Sequence, residues 1–183
     1  MLCLWPMHRQ FLIKKLKSYK GLPEESDSKE RMLGFIGDYA NCFDRELSIG
    51  HITGSAWLLD PSGEKVLLTH HKKLNKWMQL GGHSDGDWNT MTVAMKEAQE
   101  ESGIDDIDFL SEEIFDIDIH QIPERENEPS HFHFDVRFVL KANRSDFIIS
   151  EESNDLCWFS KDEIKNMNLE ESVKRMTKKW MIL

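Results

Sequence analysis

The chain has 183 residues, a length typical of one domain with an extension. Its formal net charge of −10 argues against a protein that coats DNA or RNA, because such a protein presents a basic surface. No apolar run reaches the ~20 residues that a membrane-spanning helix needs. Three widely spaced cysteines, Cys3, Cys42 and Cys157, predict reduced thiols. We therefore expect a cytoplasmic protein with no nucleic-acid partner and no membrane segment.

Residues 1–48 are expected to form a helical extension. Apolar side chains recur at helical spacing before the breaker Gly21-Leu22-Pro23. Ser26 or Ser28 is predicted to cap a second helix. The apolar residues that these helices present are Leu12, Leu16, Tyr19, Met32, Phe35, Ile36, Tyr39 and Phe43. Leu2, Leu4, Trp5 and Phe11 must also be buried, against the rest of the chain or in a homodimer.

Residues 49–183 mix strand and helix patterns. The sequence predicts a hairpin around the turn Asp60–Gly63 and a short strand that ends at a Gly81-Gly82 turn. A helix follows, with Gly103 as its C-terminal cap. Ser160 with Glu163, and Asn168 with Glu171, are predicted to cap two further helices. The predicted strands are 51–59, 65–70, 77–80, 107–121, 131–141 and 156–159, and the helix is 89–102. This mixture indicates an α+β fold, with helices on both faces of a mixed sheet.

The helix at 89–102 carries an unusual set of carboxylates. Glu97, Glu100 and Glu101 lie beside its apolar face, within an arc of about 100° around the helix axis. Like charges this close destabilise an isolated helix, and a hard divalent cation relieves the repulsion. A solvated acidic face is the other interpretation of the run EAQEE, and the residues around it decide between the two.

Those surrounding residues resemble the Nudix box, G-x5-E-x7-R-E-U-x-E-E-x-G-U, in which U is a bulky aliphatic residue. Gly82 matches the opening glycine, and KEAQEESGI at 96–104 matches the REUxEExGU segment. The likeness extends over roughly residues 50–160. Two positions depart from the pattern: Trp88 stands where the first glutamate belongs, and Lys96 replaces the arginine. Lysine keeps the charge but lacks the planar fork of arginine.

The resemblance implies a Nudix-type α/β/α sandwich that hydrolyses a nucleoside diphosphate linked to another moiety, X, with Mg²⁺ or Mn²⁺ as cofactor. It implies that Glu97, Glu100 and Glu101 are metal ligands, together with the backbone carbonyl of Gly81. It leaves the general base open between Glu100 and a carboxylate outside the box. Glu152, next to Glu151, is the preferred outside candidate, and Glu124, Glu126 and Glu128 compete with it.

Several polar residues outside the glutamate run are candidates for contact with the substrate. Lys76 belongs to a basic patch, 70–76, that either meets phosphates or forms a solvated loop. His83 either approaches the metal site or is simply a turn residue. Arg137 either binds substrate or pairs with a neighbour on its strand. His131, His133 and Asp135 share one strand face and either line a pocket floor or hold zinc.

Two other functions remain open. Some Nudix domains have lost catalysis and bind nucleotide ligands as regulatory modules, but such a loss usually removes box glutamates. A prenyl diphosphate isomerase on the same fold would need a catalytic cysteine, and neither Cys42 nor Cys157 is well placed for one. The retained glutamates favour the small-molecule hydrolase.

Overall fold

A computed structural model describes residues 7–72, 74–124, 129–149 and 153–183. Its helices are α1 (Met7–Ser18), α2 (Ser26–Asp38), α3 (Thr90–Ser102), α4 (Lys161–Lys165) and α5 (Glu171–Trp180). Its strands are β1 (Gly50–Leu59), β2 (Lys65–His71), β3 (Lys76–Met78), β4 (Leu80–His83), β5 (Ile107–Phe109), β6 (Asp116–Ile122), β7 (His131–Ala142) and β8 (Ser153–Ser160). No helix in these ranges is both long enough and apolar enough to cross a bilayer.

The strands form one mixed sheet around a central parallel pair. β1 pairs in parallel with β7 over its whole length, from Gly50 opposite Phe132 to Leu59 opposite Lys141. All other pairings are antiparallel: β2 and β4 bind β1, β5 and β6 bind β7, and β3 and β8 bind β2. The predicted hairpin forms, although β1 and β2 pair only near the turn, where Leu58 faces Leu67.

Alternation along β1 and β7 divides the core into two layers. One face packs against α1, α2 and α3 through residues such as Ala56 and Phe138. The other face packs against α4 and α5 through Trp57, Val139 and Trp180. The predicted α+β sandwich with a mixed sheet and an N-terminal helical extension is therefore confirmed.

The extension 1–48 shares the core of the sheet. Phe35 of α2 stacks on Phe134 of β7 with ring centroids 3.9 Å apart, and Leu12 and Leu16 of α1 are fully buried in the same cluster. The helix cap differs from the prediction, because Glu25 precedes α2 and uses its side chain elsewhere. Leu2, Leu4, Trp5 and Cys3 lie outside the described residues, so the homodimer stays a prediction.

Of three local predictions, two need correction and one is confirmed. Gly81 and Gly82 lie within β4, opposite Ser55 and Gly54, rather than in a turn. Asn168 does not cap α5: that helix begins after Glu170, which makes no side-chain cap. The capping box at Ser160 and Glu163 is confirmed, since the Ser160 hydroxyl accepts from the Glu163 backbone N–H at 3.3 Å.

Candidate active site at the end of the box helix

The acidic helix is fixed at both ends of its carboxylate run. Its N-terminal half packs on β1, where Ala94 is fully buried. Its C-terminus is closed by Gly103 in the left-handed region, with φ of 68°, a conformation that glycine adopts at little steric cost. The Gly103 N–H donates to the carbonyl of Gln99 at 2.8 Å. The last two carboxylates therefore stand in the final turn of a helix that ends at a defined point.

Two of the three carboxylates rest against the glycines of β4. The Glu101 Oε1 atom accepts a hydrogen bond from the Gly81 backbone N–H at 2.7 Å. A Cβ atom placed on Gly82 would lie 2.5 Å from the carboxylate carbon of Glu97, so only glycine leaves room for that side chain. Glu100 is half exposed, and its Oε1 atom lies 3.7 Å from the ammonium nitrogen of Lys96.

The carboxylates line a cleft of about 500 Å³. The structure thus brings Glu97, Glu100 and Glu101 together with Gly81 and with His83, as the sequence predicted for a common site. Three carboxylates beside glycines that lack side chains provide hard oxygen donors and room for an ion, which suits Mg²⁺ or Mn²⁺. Their role as ligands, and that of the Gly81 carbonyl, stays a prediction.

The two departures from the box have visible partners. Trp88 packs edge-on against Phe11 of α1, with ring centroids 5.4 Å apart. Lys96 pairs with Glu100 one helical turn away. Both members of that pair are more than half exposed, so it is a weak contact that keeps positive charge next to the carboxylate.

The floor of the cleft is organised by Asp135. This buried carboxylate accepts hydrogen bonds from the hydroxyls of Thr53 at 2.9 Å and Ser55 at 2.8 Å, and from the Gln79 amide at 3.3 Å. The two hydroxyls bind Oδ1, whereas Gln79 shares Oδ2 with Nε of Arg137, which donates to it at 2.6 Å. With every oxygen engaged, Asp135 serves to orient its neighbours.

The predicted substrate contact at Arg137 does not reach the cleft. Arg137 is 2% exposed and also bridges Asp116 at 3.0 Å and Asp118 at 3.5 Å. Burial alone would lower its pKa, but the charges of Asp135, Asp118 and Asp116 raise it. This arrangement matches the alternative prediction, in which Arg137 pairs with neighbours in the sheet. Any effect of Arg137 on a ligand would be indirect, through Asp135.

A second buried charge cluster continues from this one. Asp116 binds Arg175 through both carboxylate oxygens, at 2.9 and 2.8 Å, and lies 2.6 Å from the Lys179 ammonium. Lys179 also contacts Glu25 at 2.7 Å and the hydroxyl of Tyr19 at 2.7 Å. The N-terminal extension, β6 and α5 are thereby joined by charges inside the fold.

Histidine side chains from four strands gather beside the cleft, which His83, His120 and His133 line. On adjacent strands His51 stands opposite His133, and His133 stands opposite His120. The ring of His51 is 4.8 Å from that of His133, 5.0 Å from that of His131 and 4.9 Å from that of His83, between centroids. Burial, reinforced by neighbouring histidines, lowers the pKa of His51 to about 4 and that of His133 to about 2. Both rings are therefore neutral near pH 7.

Lys76 lies away from this cleft. Its ammonium pairs with Glu170, which precedes α5, and the residue lines a separate surface depression with Asn75 and Trp77. Of the basic patch, His71 lines the main cleft, and Lys73 is outside the described residues. Trp77 packs against Phe159 with ring centroids 4.9 Å apart.

The proposed outside bases are placed only in part. Glu151 and Glu152 lie outside the described residues, as do Glu126 and Glu128. Glu124 is described and exposed, just after β6. The choice of base between Glu100 and Glu152 therefore stays a prediction.

Sequence reasoning missed several cleft residues. Arg45, which pairs with Asp85 in the loop before α3, belongs to the extension and gave no local signal. His120, which lines the cleft, and His51, which is buried beside it, were also missed. Alternation in β1 sets His51 on the same face as Thr53 and Ser55, and alternation in β6 sets His120 with Asp118. These two patterns were the available signal.

Comparisons with known proteins agree with this geometry. The model of the NUDIX domain matches residues 51–180. A NUDIX-family hydrolase from Clostridium perfringens is similar at 25% identity and a TM-score of 0.53, over 72% of this chain and 97% of its own. Comparison with curated protein sequences finds no match.

Two further solved structures share the fold. A C. elegans Ap4A hydrolase has 15% identity and a TM-score of 0.52, over 72% of this chain and 95% of its own. A UDP-X diphosphatase has 15% identity and a TM-score of 0.52, over 97% of this chain and 94% of its own. The latter alignment extends into the N-terminal helical extension.

Proposed function

Since the chain belongs to the Nudix family and is a Nudix hydrolase, we propose that it is a metal-dependent pyrophosphohydrolase of small nucleotide derivatives. The bond cleaved would be the phosphoanhydride of a nucleoside diphosphate linked to X. One observation carries the proposal: Glu97, Glu100 and Glu101 converge with Gly81 and Gly82 on one cleft.

The proposed metal site consists of the three box carboxylates and the Gly81 carbonyl. Bound Mg²⁺ or Mn²⁺ would neutralise phosphate charge and lower the pKa of a bound water. The protein's own contribution is placement. The Gly81 N–H holds Glu101, the bare Gly82 backbone accommodates Glu97, and Lys96 balances part of the charge of Glu100.

We assign proton transfer to a carboxylate side chain. Glu100 is the described candidate for the base, because it lines the cleft and is half exposed, so it can exchange protons with solvent. Glu152 is the alternative. His83 is proposed to contact the substrate, since it lines the same cleft directly after Gly82.

The volume of the cleft and the names of two fold relatives support a nucleotide derivative as the substrate. A cleft of about 500 Å³ falls within the usual range for small-molecule sites. The names of two fold relatives, an Ap4A hydrolase and a UDP-X diphosphatase, denote enzymes of such compounds. The net charge of −10 agrees with a substrate brought in by a metal rather than with a nucleic-acid surface. The free thiols Cys42 and Cys157 support a reducing, cytoplasmic location.

The test is phosphate-coupled turnover with Mg²⁺ and separately with Mn²⁺. The panel contains nucleoside triphosphates, dinucleoside polyphosphates, ADP-ribose, NADH and nucleotide sugars. Cleavage of one class well above the others supports the proposal and identifies X. Absence of turnover with every compound and both metals contradicts it. The observation that favours a ligand-binding module instead is Trp88 at the position of the first box glutamate, and nucleotide binding without turnover would support that module.

A further inference from the structure

Three histidines beside the cleft have the arrangement of a metal site made of nitrogen ligands. His51 is on β1, and His131 and His133 are two residues apart on β7, so all three lie on the same face of the sheet. One ring nitrogen from each can be chosen so that the three atoms lie within 4.8 Å of one another. We call these three residues the histidine trio.

Two members of the trio have the separation expected of two ligands on one metal ion. The Nε2 atoms of His131 and His133 are 3.3 Å apart. Two ligands on a tetrahedral zinc ion, each about 2.0–2.1 Å from the metal, are separated by roughly this distance. The ligand atom of His51 lies within 4.8 Å of those of the other two residues, so its ring must move closer to complete the same face of a tetrahedron.

The tautomer of His131 also suits a metal ligand. Its Nδ1 atom lies 2.9 Å from the carbonyl oxygen of Pro129. A carbonyl only accepts hydrogen bonds, so Nδ1 carries the proton, and the lone pair of the neutral ring is on Nε2, which faces His133. Fixing one imidazole nitrogen through a backbone carbonyl is the usual support for a histidine that binds metal through the other.

The environment of His51 is a second, independent observation that points to a metal ion. The side chain is 2% exposed, and within the described part of the chain neither of its ring nitrogens has a hydrogen-bond partner. A buried polar group without a partner is costly, and native proteins rarely retain one. A metal ion bound by the trio would satisfy this ring.

We propose that His51, His131 and His133 bind a zinc-class transition-metal ion beside the cleft, at a site separate from the box carboxylates. His83 is a further imidazole next to the trio, with its ring centroid 4.9 Å from that of His51 and 5.0 Å from that of His133. Imidazole nitrogens select zinc, nickel, copper or cobalt, whereas the carboxylates of α3 select magnesium or manganese. The two sites thus differ in metal preference.

The experiment measures metal binding to the full chain after removal of metal by a chelator. Zn²⁺ is titrated by calorimetry, and Co²⁺ is titrated by visible absorption, which reports nitrogen ligands in tetrahedral geometry. We expect about one tightly bound Zn²⁺ per chain and a rise in Tm on its addition. His131→Gln and His133→Gln should each weaken Zn²⁺ binding about tenfold or more.

Two controls identify the site. His70→Gln, on neighbouring β2, should bind Zn²⁺ like the unmodified protein. The double variant Glu97→Gln/Glu101→Gln should also keep Zn²⁺ binding, which separates this proposal from that of the carboxylate site. His131 and His133 serve as the test positions, and far-UV circular dichroism checks that both variants fold. Absence of Zn²⁺ binding, or a Zn²⁺ affinity in both trio variants equal to that of the unmodified protein, would overturn the proposal.

Discussion

Trp88 meets Phe11 edge to face, with an angle of 75° between the two rings. The tryptophan occupies the position where the box pattern has its first glutamate, and the phenylalanine belongs to the first helix of the extension. A position that the family pattern reserves for charge is thus used here for an apolar contact with α1. Because the loop containing Trp88 leads directly into α3, this contact connects the extension to the carboxylate helix.

The first prediction concerns this contact. Trp88→Ala and Phe11→Ala should each lower the free energy of unfolding, and the double variant should lose less than their sum. An interaction of about 0.5–1.5 kcal/mol is expected for such an aromatic pair. Urea unfolding of the four proteins measures it. Full additivity would mean that the two rings do not stabilise each other.

The second prediction concerns the carboxylates as ligands. Glu101→Gln and Glu97→Gln should each reduce kcat/KM by roughly 100- to 1,000-fold, since each removes one charge from the proposed metal site. Thermal unfolding should change little, because glutamine keeps the shape and still accepts from the Gly81 N–H. Glu30→Gln, at an exposed position in α2, is the matched control. Turnover at the unmodified rate in both site variants would remove the ligand assignment.

The third prediction tests the close approach at Gly82. Alanine there places a methyl group 2.5 Å from the Glu97 carboxylate carbon, so the flexible side chain must move away. Mn²⁺ affinity, measured by electron paramagnetic resonance, should fall while stability is nearly kept. Gly34→Ala in α2 is the control, because its methyl group meets nothing within 4 Å. That change should leave Mn²⁺ affinity unaltered and add up to about 1 kcal/mol of stability.

The fourth prediction is a pH dependence of stability that arises from Asp116. Burial opposes its ionisation, but the hydrogen bond from Arg175 and the charges of Arg137 and Lys179 outweigh burial and lower its pKa. A carboxyl group with a lowered pKa in the folded state stabilises the protein above its unfolded pKa, about 3.9, and that contribution is lost as pH falls below it. The groups that face this carboxylate directly or through Lys179 are Arg137, Arg175, Lys179, Glu25 and Tyr19.

The test compares the unmodified protein with Asp116→Asn. At pH 7 the variant should be less stable by about 3–5 kcal/mol, because it leaves buried cations without their partner. Between pH 5 and pH 3 this difference should shrink by about 1 kcal/mol. Urea unfolding at each pH gives the values, and a difference that stays constant with pH would contradict the assignment.

Local patterns predicted the box helix well. Its apolar spacing and the glycine at 103 placed the helix at 89–102, and the structure has it at Thr90–Ser102. Periodicity and capping depend on neighbours within a few residues, so they are visible in the sequence. The grouping of Glu97, Glu100 and Glu101 on one side of the helix follows from the same periodicity.

Contacts between distant segments could not be predicted in this way. His51 faces His133 because β1 and β7 pair in parallel across more than 80 positions, and no local signal specifies that register. Arg137 was placed on the correct strand, but its partners Asp116 and Asp118 come from β6. Lys76 was a candidate for phosphate binding, but its ammonium pairs with Glu170, which directly precedes α5 and is distant in sequence.

The buried charge cluster around Asp116 is completed late in synthesis, because two of its cations lie in α5. Lys179 follows Asp116 by 63 residues, and Arg175 follows it by 59. While a nascent chain has reached β6 and β7 but not α5, Asp116 has only Arg137 to balance it among these cations. The face of the sheet beneath α5 therefore closes only after that helix has left the ribosome. A nascent chain that ends before α5 lacks Arg175 and Lys179, so we expect this face of its sheet to stay uncovered even though every box residue has already been translated.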